Sequence, residues 1–448
     1  MSMIVVFILT ALVLAVSFAI LKLRRTPYSI AFFHPYCAAG GGGERVMWCA
    51  IKSLHKRYPH YNISVYTGDS NILSNVEKTF GIQFDRPIRF VHLKHRWLLD
   101  ASRYPVMTLL FQSVGSLILS LEAILRFVPE IYIDSMGFSW TLPIFRILGC
   151  STVSYVHYPF ISTDMIESVS TSDHESFNNR KIFAQSPTLK FCKLLYYRSF
   201  AWIYGYFGRL SHVVMVNSTW TKRHIEKLWV MPTSIVYPPC NVESFKSLPL
   251  DRFNQRKTMN IISIAQFRPE KNHELQLEAF RKFITTKTSK ECMFYLYGGC
   301  RDHNDRARVQ RLKDLATSLE IRDRVTFTVG APFEEILRGV EDADIAMHSM
   351  INEHFGIVLV ECMAAGLILL AHKSGGPKDD IIEDGINGFL ASDTDEFASK
   401  LAHIYELPHE KRMSIRVEAR KRSNDFSDES FETNFLKALE GLLRCKRY

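Results

Sequence analysis

The sequence predicts an α/β protein with two doubly wound, Rossmann-like domains that face a cleft, preceded by an N-terminal transmembrane helix. Three observations predict it: an uncharged apolar run opens the chain, two series of short apolar strands alternate with helical stretches, and a proline-rich, polar break separates the two series. Strands that alternate with helices are typical of a parallel sheet covered by helices on both faces. Such domains bind their ligands at the carboxyl ends of the strands.

The composition limits the class of protein. The 448 residues are 47% hydrophobic, 12% aromatic and 23% charged, which excludes a disordered chain, a collagen and a coiled coil. The net charge of +9 favours anionic partners such as phosphates or an acidic leaflet, but it is too small to indicate nucleic acid. Nine cysteines without a CxxC pair speak against a disulfide framework and a structural zinc site, so a reducing compartment fits best.

The first element is the membrane anchor, predicted over residues 1–25 with its basic flank. Residues 3–21 carry no charge and nearly cover a hydrocarbon core of about 30 Å. Three basic residues follow at 22–25, which favours an uncleaved single-pass anchor over a cleaved signal peptide and keeps the following domains cytosolic. The glycosylation sequons at Asn62 and Asn217 should then stay unmodified.

Two further stretches are candidates for contact with a membrane. Residues 104–121 carry no charge, but Pro105 and Gln112 favour a buried or membrane-dipping helix over a second span. Residues 190–210 mix aromatic rings with cations, which suits the headgroup layer. An ordinary core helix is an equally good interpretation of this second stretch.

The N-terminal domain, predicted over residues 28–240, begins with a strand at 29–34, a glycine loop and a helix at 44–54. Its further strands are predicted at 62–66, 131–134, 151–157 and 213–216. Tyr237-Pro-Pro239 ends this series, and we interpret the polar residues 241–258 as a linker.

The C-terminal domain is predicted over residues 259–426, followed by a last helical segment at 427–448. Its strands are predicted at 259–265, 293–297, 325–329, 345–347 and 367–371, and its helices near 273–285, 306–319, 332–340 and 356–365. The carboxyl ends of these strands should carry the ligand-binding side chains.

Four consecutive glycines form the loop of the first domain, Gly40, Gly41, Gly42 and Gly43. Glycine lets the backbone approach a ligand closely, and the following helix aims free N–H groups at the loop, so a phosphate is the expected occupant. The dinucleotide fingerprint fails because Val46 stands where its third glycine would be, which counts against an NAD-dependent dehydrogenase. A flexible turn is the alternative interpretation.

The second domain carries paired charges after two of its strands. Arg268 and Lys271 follow the strand at 259–265, and two cations at that edge suit a diphosphate. Gly356 opens an apolar helix; Glu353 precedes it in the loop and Glu361 lies two turns into it, so both carboxylates could accept hydrogen bonds from sugar hydroxyls. A solvated turn and surface charge are the alternatives.

His157 ends a strand of the first domain on the predicted cleft side, where a catalytic role and a structural role are equally plausible. The pair Asp342 and Asp344 leads straight into an apolar strand, so we interpret it as structural. Nothing else offers a carboxylate site for a divalent metal, and the sequence predicts neither a metal nor another cofactor.

The E-x7-E spacing, the cations at 268 and 271, the glycine loop and Tyr237-Pro-Pro239 together resemble retaining glycosyltransferases of family four, which have the GT-B fold. The resemblance covers nearly all of the chain after the anchor. Segments 33–45, 156–164 and 265–273 look like those family members that transfer mannose in α-1,2 linkage from GDP-mannose to a dolichyl-diphosphate oligosaccharide on the cytosolic face of the endoplasmic reticulum. The resemblance implies addition of the fourth and fifth mannoses, with other mannosyltransferases of the pathway as further partners.

The resemblance also implies a role for each residue of the site. Arg268 and Lys271 neutralise the diphosphate, although the family usually has its arginine at the position of Gln266; Glu361 binds the ribose. The catalytic and donor-binding group further contains Glu353 beside the mannose, with backbone N–H groups near Phe355, Gly356 and Ile357. His157 and the glycine loop face the reacting sugar, and the reaction needs no metal.

Three other functions remain open from the sequence. The first is a related transferase with another nucleotide sugar or lipid acceptor. The second is a membrane-bound NAD dehydrogenase, against which the incomplete glycine fingerprint counts. The third is a membrane-anchored scaffold that kept the fold and lost its activity.

Overall fold

The computed structural model describes residues 16, 18–171, 187–253, 258–285 and 292–443. It divides the chain into two compact units. Unit 1 contains the chain up to Asn217, then Thr221–Val236 and the residues from Glu432 onward, and unit 2 contains Ser218–Trp220 and Tyr237–Phe431. Most of the predicted anchor at 3–21 lies outside the described residues.

Unit 1 is built on a seven-stranded parallel sheet with the strand order β3-β2-β1-β4-β5-β6-β7. The strands are β1 Arg25–Phe33, β2 Asn62–Thr67, β3 Arg89–His92, β4 Val128–Asp134, β5 Ser151–Val156, β6 Val213–Val216 and β7 Ser234–Ile235. The last five residues of β1 are buried irrespective of the side they face, as expected for a strand covered by helices on both faces.

Helices of unit 1 follow most of these strands. They are α1 Gly42–Arg57, α2 Ile72–Phe80, α3 Thr108–Arg126, α4 Leu142–Ile147, α5 Thr163–Thr171, α6 Pro187–Gly208 and α7 Thr219–Trp229, the last of which begins in the segment assigned to unit 2. Because the strands are parallel and β1, β4 and β5 are neighbours in the sheet, their carboxyl ends lie side by side at one edge.

Unit 2 has a six-stranded parallel sheet with the order β10-β9-β8-β11-β12-β13. Its strands are β8 Met259–Ile264, β9 Cys292–Gly298, β10 Val325–Val329, β11 Ile345–His348, β12 Ile368–His372 and β13 Phe389–Ala391. Its helices are α8 Val242–Lys246, α9 His273–Thr285, α10 His303–Ser318, α11 Phe333–Asp342, α12 Ile357–Ala364, α13 Thr394–Glu406 and α14 His409–Arg422. A last helix, α15 Asp428–Leu439, begins in the segment assigned to unit 2 and ends in the segment assigned to unit 1. The predicted fold class of two doubly wound α/β domains is confirmed.

The segment at 241–258, interpreted from sequence as a linker, contains helix α8. Phe245 and Phe253 from this segment are buried in the hydrophobic cluster of unit 2 that also contains Leu359 and Met363 of α12. The residues between the two phenylalanines are mostly polar, so the sequence does not reveal that both aromatic side chains are buried. For this reason the sequence alone indicates a linker.

The two stretches that the sequence marks for membrane contact are both helices of unit 1. Residues 104–121 contribute to α3, and residues 190–210 contribute to α6. Within the part of the chain that the structure describes, α3 is the one helix long and apolar enough to cross a bilayer, and 39% of its most apolar stretch is buried in the protein. Partial burial of this kind favours a helix that packs on the sheet.

Candidate active site

Lys271 and Glu353 meet at the carboxyl edge of the sheet of unit 2. Lys271 ends a short 3-10 turn after β8, and Glu353 lies in the loop after β11; these two strands are neighbours in the sheet. The Lys271 ammonium contacts the Glu353 carboxylate directly, and the side chains are only 20% and 12% exposed. The topology therefore joins two charges that are 82 residues apart in the sequence.

His348 is a second partner of Glu353. Its Nε2 lies 2.9 Å from Glu353 Oε2, and the backbone N–H of His354 donates to Oε1 at 3.2 Å. Burial alone would raise the pKa of Glu353, but the hydrogen bond from His348 and the charge of Lys271 outweigh burial and lower the pKa below its usual range. Glu353 is therefore ionised at neutral pH, and since a carboxylate only accepts, His348 Nε2 donates to it.

The loop that carries Glu353 is supported from behind by residues 374–376. The Ser374 hydroxyl accepts a hydrogen bond from the Asn352 N–H at 2.7 Å, and the Gly376 N–H donates to the Glu353 carbonyl at 2.8 Å. A methyl group on Gly375 would lie 2.3 Å from that carbonyl oxygen, so the two loops pack backbone against backbone. The glycine turn after β12 thus fixes the position of Glu353.

Helix α12 begins directly after Gly356, whose φ of +107° favours glycine. No side chain caps this end of α12, so the first N–H groups of the helix remain available to an anion. The ring of Phe355 is buried against Tyr237 and Phe426, which leaves only the backbone of Phe355 for a ligand. Ile357 opens the helix, and Glu361, half-buried, lies in its second turn.

Arg268 is placed on the same edge, one turn before Lys271. Burial lowers the pKa of its guanidinium, and the charge of Arg301, after β9, lowers the pKa further. Arg301 is held by Asp305, whose carboxylate accepts from the Arg301 N–H and Nε at 3.0 and 3.2 Å. Two guanidinium groups therefore lie near each other where a diphosphate is expected, and sequence reasoning identified only Arg268.

The glycine loop of unit 1 is shaped by Glu44. Gly40 has a φ of +79°, and α1 begins at Gly42. The Glu44 carboxylate accepts from the Gly41 N–H and lies 3.6 Å from His34 Nε2. Burial would raise the pKa of Glu44, but the interaction with His34 and these backbone bonds lower it, so Glu44 is ionised and draws the loop towards its own helix.

His157 follows β5 and lies against this loop. A methyl group on Gly43 would be 3.5 Å from His157 Nε2, which is ordinary van der Waals contact. The His34 ring is fixed at the same edge, because its Nδ1 is 2.8 Å from the Ser135 hydroxyl after β4. Unit 1 thus brings together the glycine loop and His157, both selected from the sequence.

Sequence reasoning missed His34, Glu44, Arg301 and His348. His34 and His348 lie at the carboxyl ends of β1 and β11, so the rule that selected His157 would have found both. Glu44 stands in the first turn after the glycine loop, a position typical of a carboxylate that caps a helix start. Arg301 lies just beyond β9 and carried no other signal.

Among the described residues, no group of three or more His, Cys, Asp or Glu side chains is arranged to hold a metal ion. Asp344, one of the two aspartates noted before β11, instead accepts from the N–H of Asn260 at 3.1 Å and pairs with Arg416 at 3.3 Å. These contacts give Asp344 a structural role within unit 2.

Two sequence families match the chain. Residues 27–229 match the family described as ALG11 mannosyltransferase N-terminus, and residues 251–422 match the family described as Glycosyl transferases group 1. The second match contains the cluster around Lys271 and Glu353.

Individual relatives extend the likeness to most of the chain. The chain is 47% identical over 429 residues, 93% of its length, to the Homo sapiens GDP-Man:Man(3)GlcNAc(2)-PP-Dol alpha-1,2-mannosyltransferase, of which it covers 87%. It is 42% identical over 460 residues to the protein of the same name from Caenorhabditis elegans, covering 99% of this chain and 98% of that protein.

A solved structure shows the same fold at low identity. The crystal structure of a glycosyltransferase from Rickettsia africae matches 93% of this chain and 99% of its own with a TM-score of 0.65 and 16% identity. Likeness at this identity concerns the fold alone, and it agrees with the predicted pair of Rossmann-like domains.

Proposed function

Because the chain belongs to the family of GDP-Man:Man(3)GlcNAc(2)-PP-Dol alpha-1,2-mannosyltransferases, we propose that it transfers mannose in α-1,2 linkage from GDP-mannose to a dolichyl-diphosphate-linked trimannosyl oligosaccharide. The observation that carries the proposal is the 47% identity over 93% of the chain. The enzyme class that the sequence resemblance implied, a glycosyltransferase, is confirmed by the same relatives. We propose further that two mannoses are added in sequence.

The proposed reaction retains the anomeric configuration. The bond between mannose C1 and the diphosphate oxygen breaks, the acceptor hydroxyl oxygen bonds to C1 on the same face, and its proton passes to an oxygen of the departing GDP. This route needs no nucleophilic side chain. The protein contributes the position of the two substrates and stabilisation of the charge that develops on the diphosphate.

Unit 2 offers the groups for the donor. Lys271 and Arg268 are cations at one sheet edge, and Arg301 adds a third positive charge near Arg268. We propose that Lys271 and Arg268 bind the diphosphate together with the N–H groups at the start of α12. Glu353, ionised and only 12% exposed, is assigned to the mannose, and Glu361 to the ribose hydroxyls.

Unit 1 offers the groups for the acceptor side of the reaction. The loop of Gly40, Gly41, Gly42 and Gly43 leads into the start of α1, the Gly41 N–H is held by Glu44, and the His157 ring lies against Gly43. An imidazole beside amide donors can orient a sugar hydroxyl or a phosphate oxygen. We assign this loop and His157 to the reacting sugar.

A dolichol chain cannot leave the bilayer, so the enzyme must meet its acceptor at a membrane surface. We propose that the protein resides at the endoplasmic reticulum membrane as a single-pass protein with both units in the cytosol. The basic residues that follow the apolar run support this orientation.

The assay that tests the function uses purified full-length protein with the trimannosyl lipid and radiolabelled GDP-mannose, UDP-glucose or UDP-N-acetylglucosamine. We expect mannose transfer from GDP-mannose alone, a product that an α-1,2-specific mannosidase removes, and full activity in a metal chelator. Transfer from another donor only would overturn the proposed function. A loss in chelator that Mg²⁺ or Mn²⁺ restores would overturn the metal-free reaction.

A further inference from the structure

Helix α3 of unit 1 presents large apolar side chains to the outside. Five of them are 38–62% exposed: Phe111, Val114, Ile118, Leu121 and Leu125. Their spacing of three and four residues places them on one face, which we name the α3 stripe. A core helix ordinarily turns its large apolar residues inward, so this face suits a partner other than water.

The inner face of α3 carries mostly small residues and is fixed to unit 1. A methyl group on Gly115 would lie 2.5 Å from the carbonyl oxygen of Leu98, so only glycine permits this close contact. The buried Ser116 and Ser120 hydroxyls donate to carbonyls three residues earlier, each at 2.7 Å. The helix therefore cannot rotate to bury the stripe without losing the close packing of its inner face against unit 1.

Helix α6 lies next to the start of α3 and exposes a second apolar face. The Leu110 N–H of α3 donates to the Tyr196 hydroxyl of α6 at 3.1 Å. Four large side chains of α6 are 55–71% exposed and share one face of the helix: Phe191, Leu195, Trp202 and Tyr206. Phe200 and Tyr204, on the opposite face, are buried.

Positive charge accompanies both helices. Residues 187–208 contain Lys190, Lys193 and Arg198 but no Asp or Glu. Before α3, the guanidinium of Arg103 lies 5.1 Å from the ring centre of Trp97, which is itself 48% exposed. Exposed aromatic rings beside cations are typical of protein segments that lie in the headgroup layer of an anionic membrane.

The apolar run at the start of the chain joins unit 1 at the same place. Leu21 packs against the hydrophobic cluster that contains Leu119, Ala123 and Ile124 of α3. The part of the chain expected to cross the bilayer thus reaches unit 1 beside the helix that bears the stripe.

From these observations we propose that the α3 stripe and the exposed face of α6 form a membrane-docking surface that lies in the headgroup and upper acyl layer of an anionic leaflet. This surface acts in addition to the N-terminal anchor, and α3 does not span the bilayer. The proposal deepens the proposed function, because a docked unit 1 would meet a lipid-linked acceptor at the surface. Its test, however, needs no catalytic activity.

The test uses full-length protein in vesicles of phosphatidylcholine and phosphatidylinositol that contain a lipid with a photoreactive group on its acyl chain. After irradiation, the labelled residues are located by mass spectrometry. We expect labels on the α3 stripe and on the exposed face of α6, in addition to the N-terminal run. Labels confined to the N-terminal run would overturn the proposal and favour a protein partner for this face. Equal labelling of the inner residues Ser116 and Ser120 would show that α3 spans, and would also overturn it.

The double variant Ile118→Glu/Leu121→Glu places two charges on the stripe without touching the inner face. We expect labelling of α3 to fall about tenfold or more, because charges are expelled from the acyl layer. The matched control is Ile386→Glu/Val417→Glu, which charges two equally exposed apolar residues of unit 2 and should leave the labelling of α3 unchanged. An equal fall in both variants would contradict the assignment of the surface to α3. Failure of the mannose assay with lipid labelling intact would remove the proposed function alone.

Discussion

Lys271 and Glu353 neutralise each other in a part of unit 2 that is largely closed to water. Separating such a pair is costly, because each charge would be left with little solvation. His348 lowers this cost for Glu353, since its ring continues to donate when Lys271 turns to another anion. The cluster can therefore release Lys271 to a diphosphate without leaving Glu353 unpaired.

Replacement of Glu353 by glutamine tests whether its charge is needed. Glu353→Gln keeps the shape and the acceptor oxygen but removes the charge that balances Lys271. We expect kcat to fall by about 10²–10³-fold with the fold intact, a loss typical of a missing electrostatic group. The control is Glu334→Gln, an exposed glutamate in the first turn of α11, which should retain activity. Normal turnover in Glu353→Gln, measured with GDP-mannose and the trimannosyl lipid, would remove Glu353 from the mechanism.

His348 is predicted to be a positioning residue that acts through Glu353. In His348→Ala the largest influence that lowers the pKa of Glu353 is lost, so this pKa rises. Since the ionised carboxylate is required, the acid limb of log kcat against pH should move to higher pH.

The conservative variant His348→Gln separates this role from a purely structural one. Its amide can still donate towards Glu353, so we expect the acid limb to return close to its original position. If both variants lower the melting temperature and neither moves the acid limb, His348 only supports the fold.

Asp134, at the end of β4, predicts a dependence of stability on pH. Burial raises its pKa to about 7, against partial compensation by backbone N–H groups such as that of Met136. Between about pH 4, the unfolded value, and pH 7 the folded state holds a proton that the unfolded state has lost. The stability should therefore fall as pH rises through this window, by about 1.4 kcal/mol per pH unit at the steepest.

The variant Asp134→Asn should remove this slope and be more stable than the original chain at pH 8. Thermal unfolding at pH 5.5 and pH 8 measures both effects, with the exposed Asp323→Asn as control. A slope that persists in Asp134→Asn would assign the pH dependence to other groups.

At the scale of elements, the site depends on how two loops meet. The turn after β12 supports the loop after β11 through the Ser374 hydroxyl and through close backbone contacts, so a side chain added at Gly375 displaces Glu353. Gly375→Ala puts a methyl group 2.3 Å from the Glu353 carbonyl oxygen, and we expect activity to fall about tenfold or more, because small misplacements of catalytic groups are costly.

Gly385 provides the matched control for Gly375. It also has a positive φ, +82° against +61°, but a methyl group there meets nothing within 4 Å. Gly385→Ala should therefore show the backbone penalty of about 1 kcal/mol in thermal unfolding while its turnover stays near the original. Equal loss of turnover in the two variants would show that strain, rather than the contact with Glu353, is responsible.

The elements that the sequence predicted well have an unbroken apolar run or a clear helical period. Helix α9 and strand β6 have the predicted bounds, and the predicted strand starting at residue 29 corresponds to β1. The strands β3 and β13 were missed, because four residues such as Arg-Phe-Val-His or three such as Phe-Leu-Ala carry too little periodicity. Such short edge strands form because their neighbours offer hydrogen bonds.

The candidate site was predictable in its parts but not in its contacts. The rule for carboxyl ends of parallel strands selected Lys271, Glu353 and His157 without a structure. That Lys271 touches Glu353 follows from β8 lying next to β11, a strand order that a single sequence does not specify. The support from Ser374 and the ring of His348 depends on that order as well.

At the scale of the whole molecule, the sign of the charge around the apolar run decides which side of the membrane holds the active units. The structure sharpens the test through the two sequons. Asn62 is exposed at the start of β2, whereas Asn217 is 6% exposed, so only Asn62 would be a reporter in the folded protein. With both units in the cytosol, Asn62 never meets the glycosylation machinery.

We therefore predict that endoglycosidase leaves the mobility of the full-length protein unchanged on a gel, although Asn62 is accessible. The matched control is a flexible N-terminal extension that carries an Asn-X-Thr sequon ahead of Met1; it should be glycosylated, because the predicted orientation places Met1 in the lumen. An endoglycosidase-sensitive Asn62, lost in Asn62→Gln, would place both units on the lumenal side. Active units in the lumen would have no access to GDP-mannose in the cytosol, so that outcome would also exclude the proposed donor. The same measurement therefore tests both the orientation and the proposed reaction.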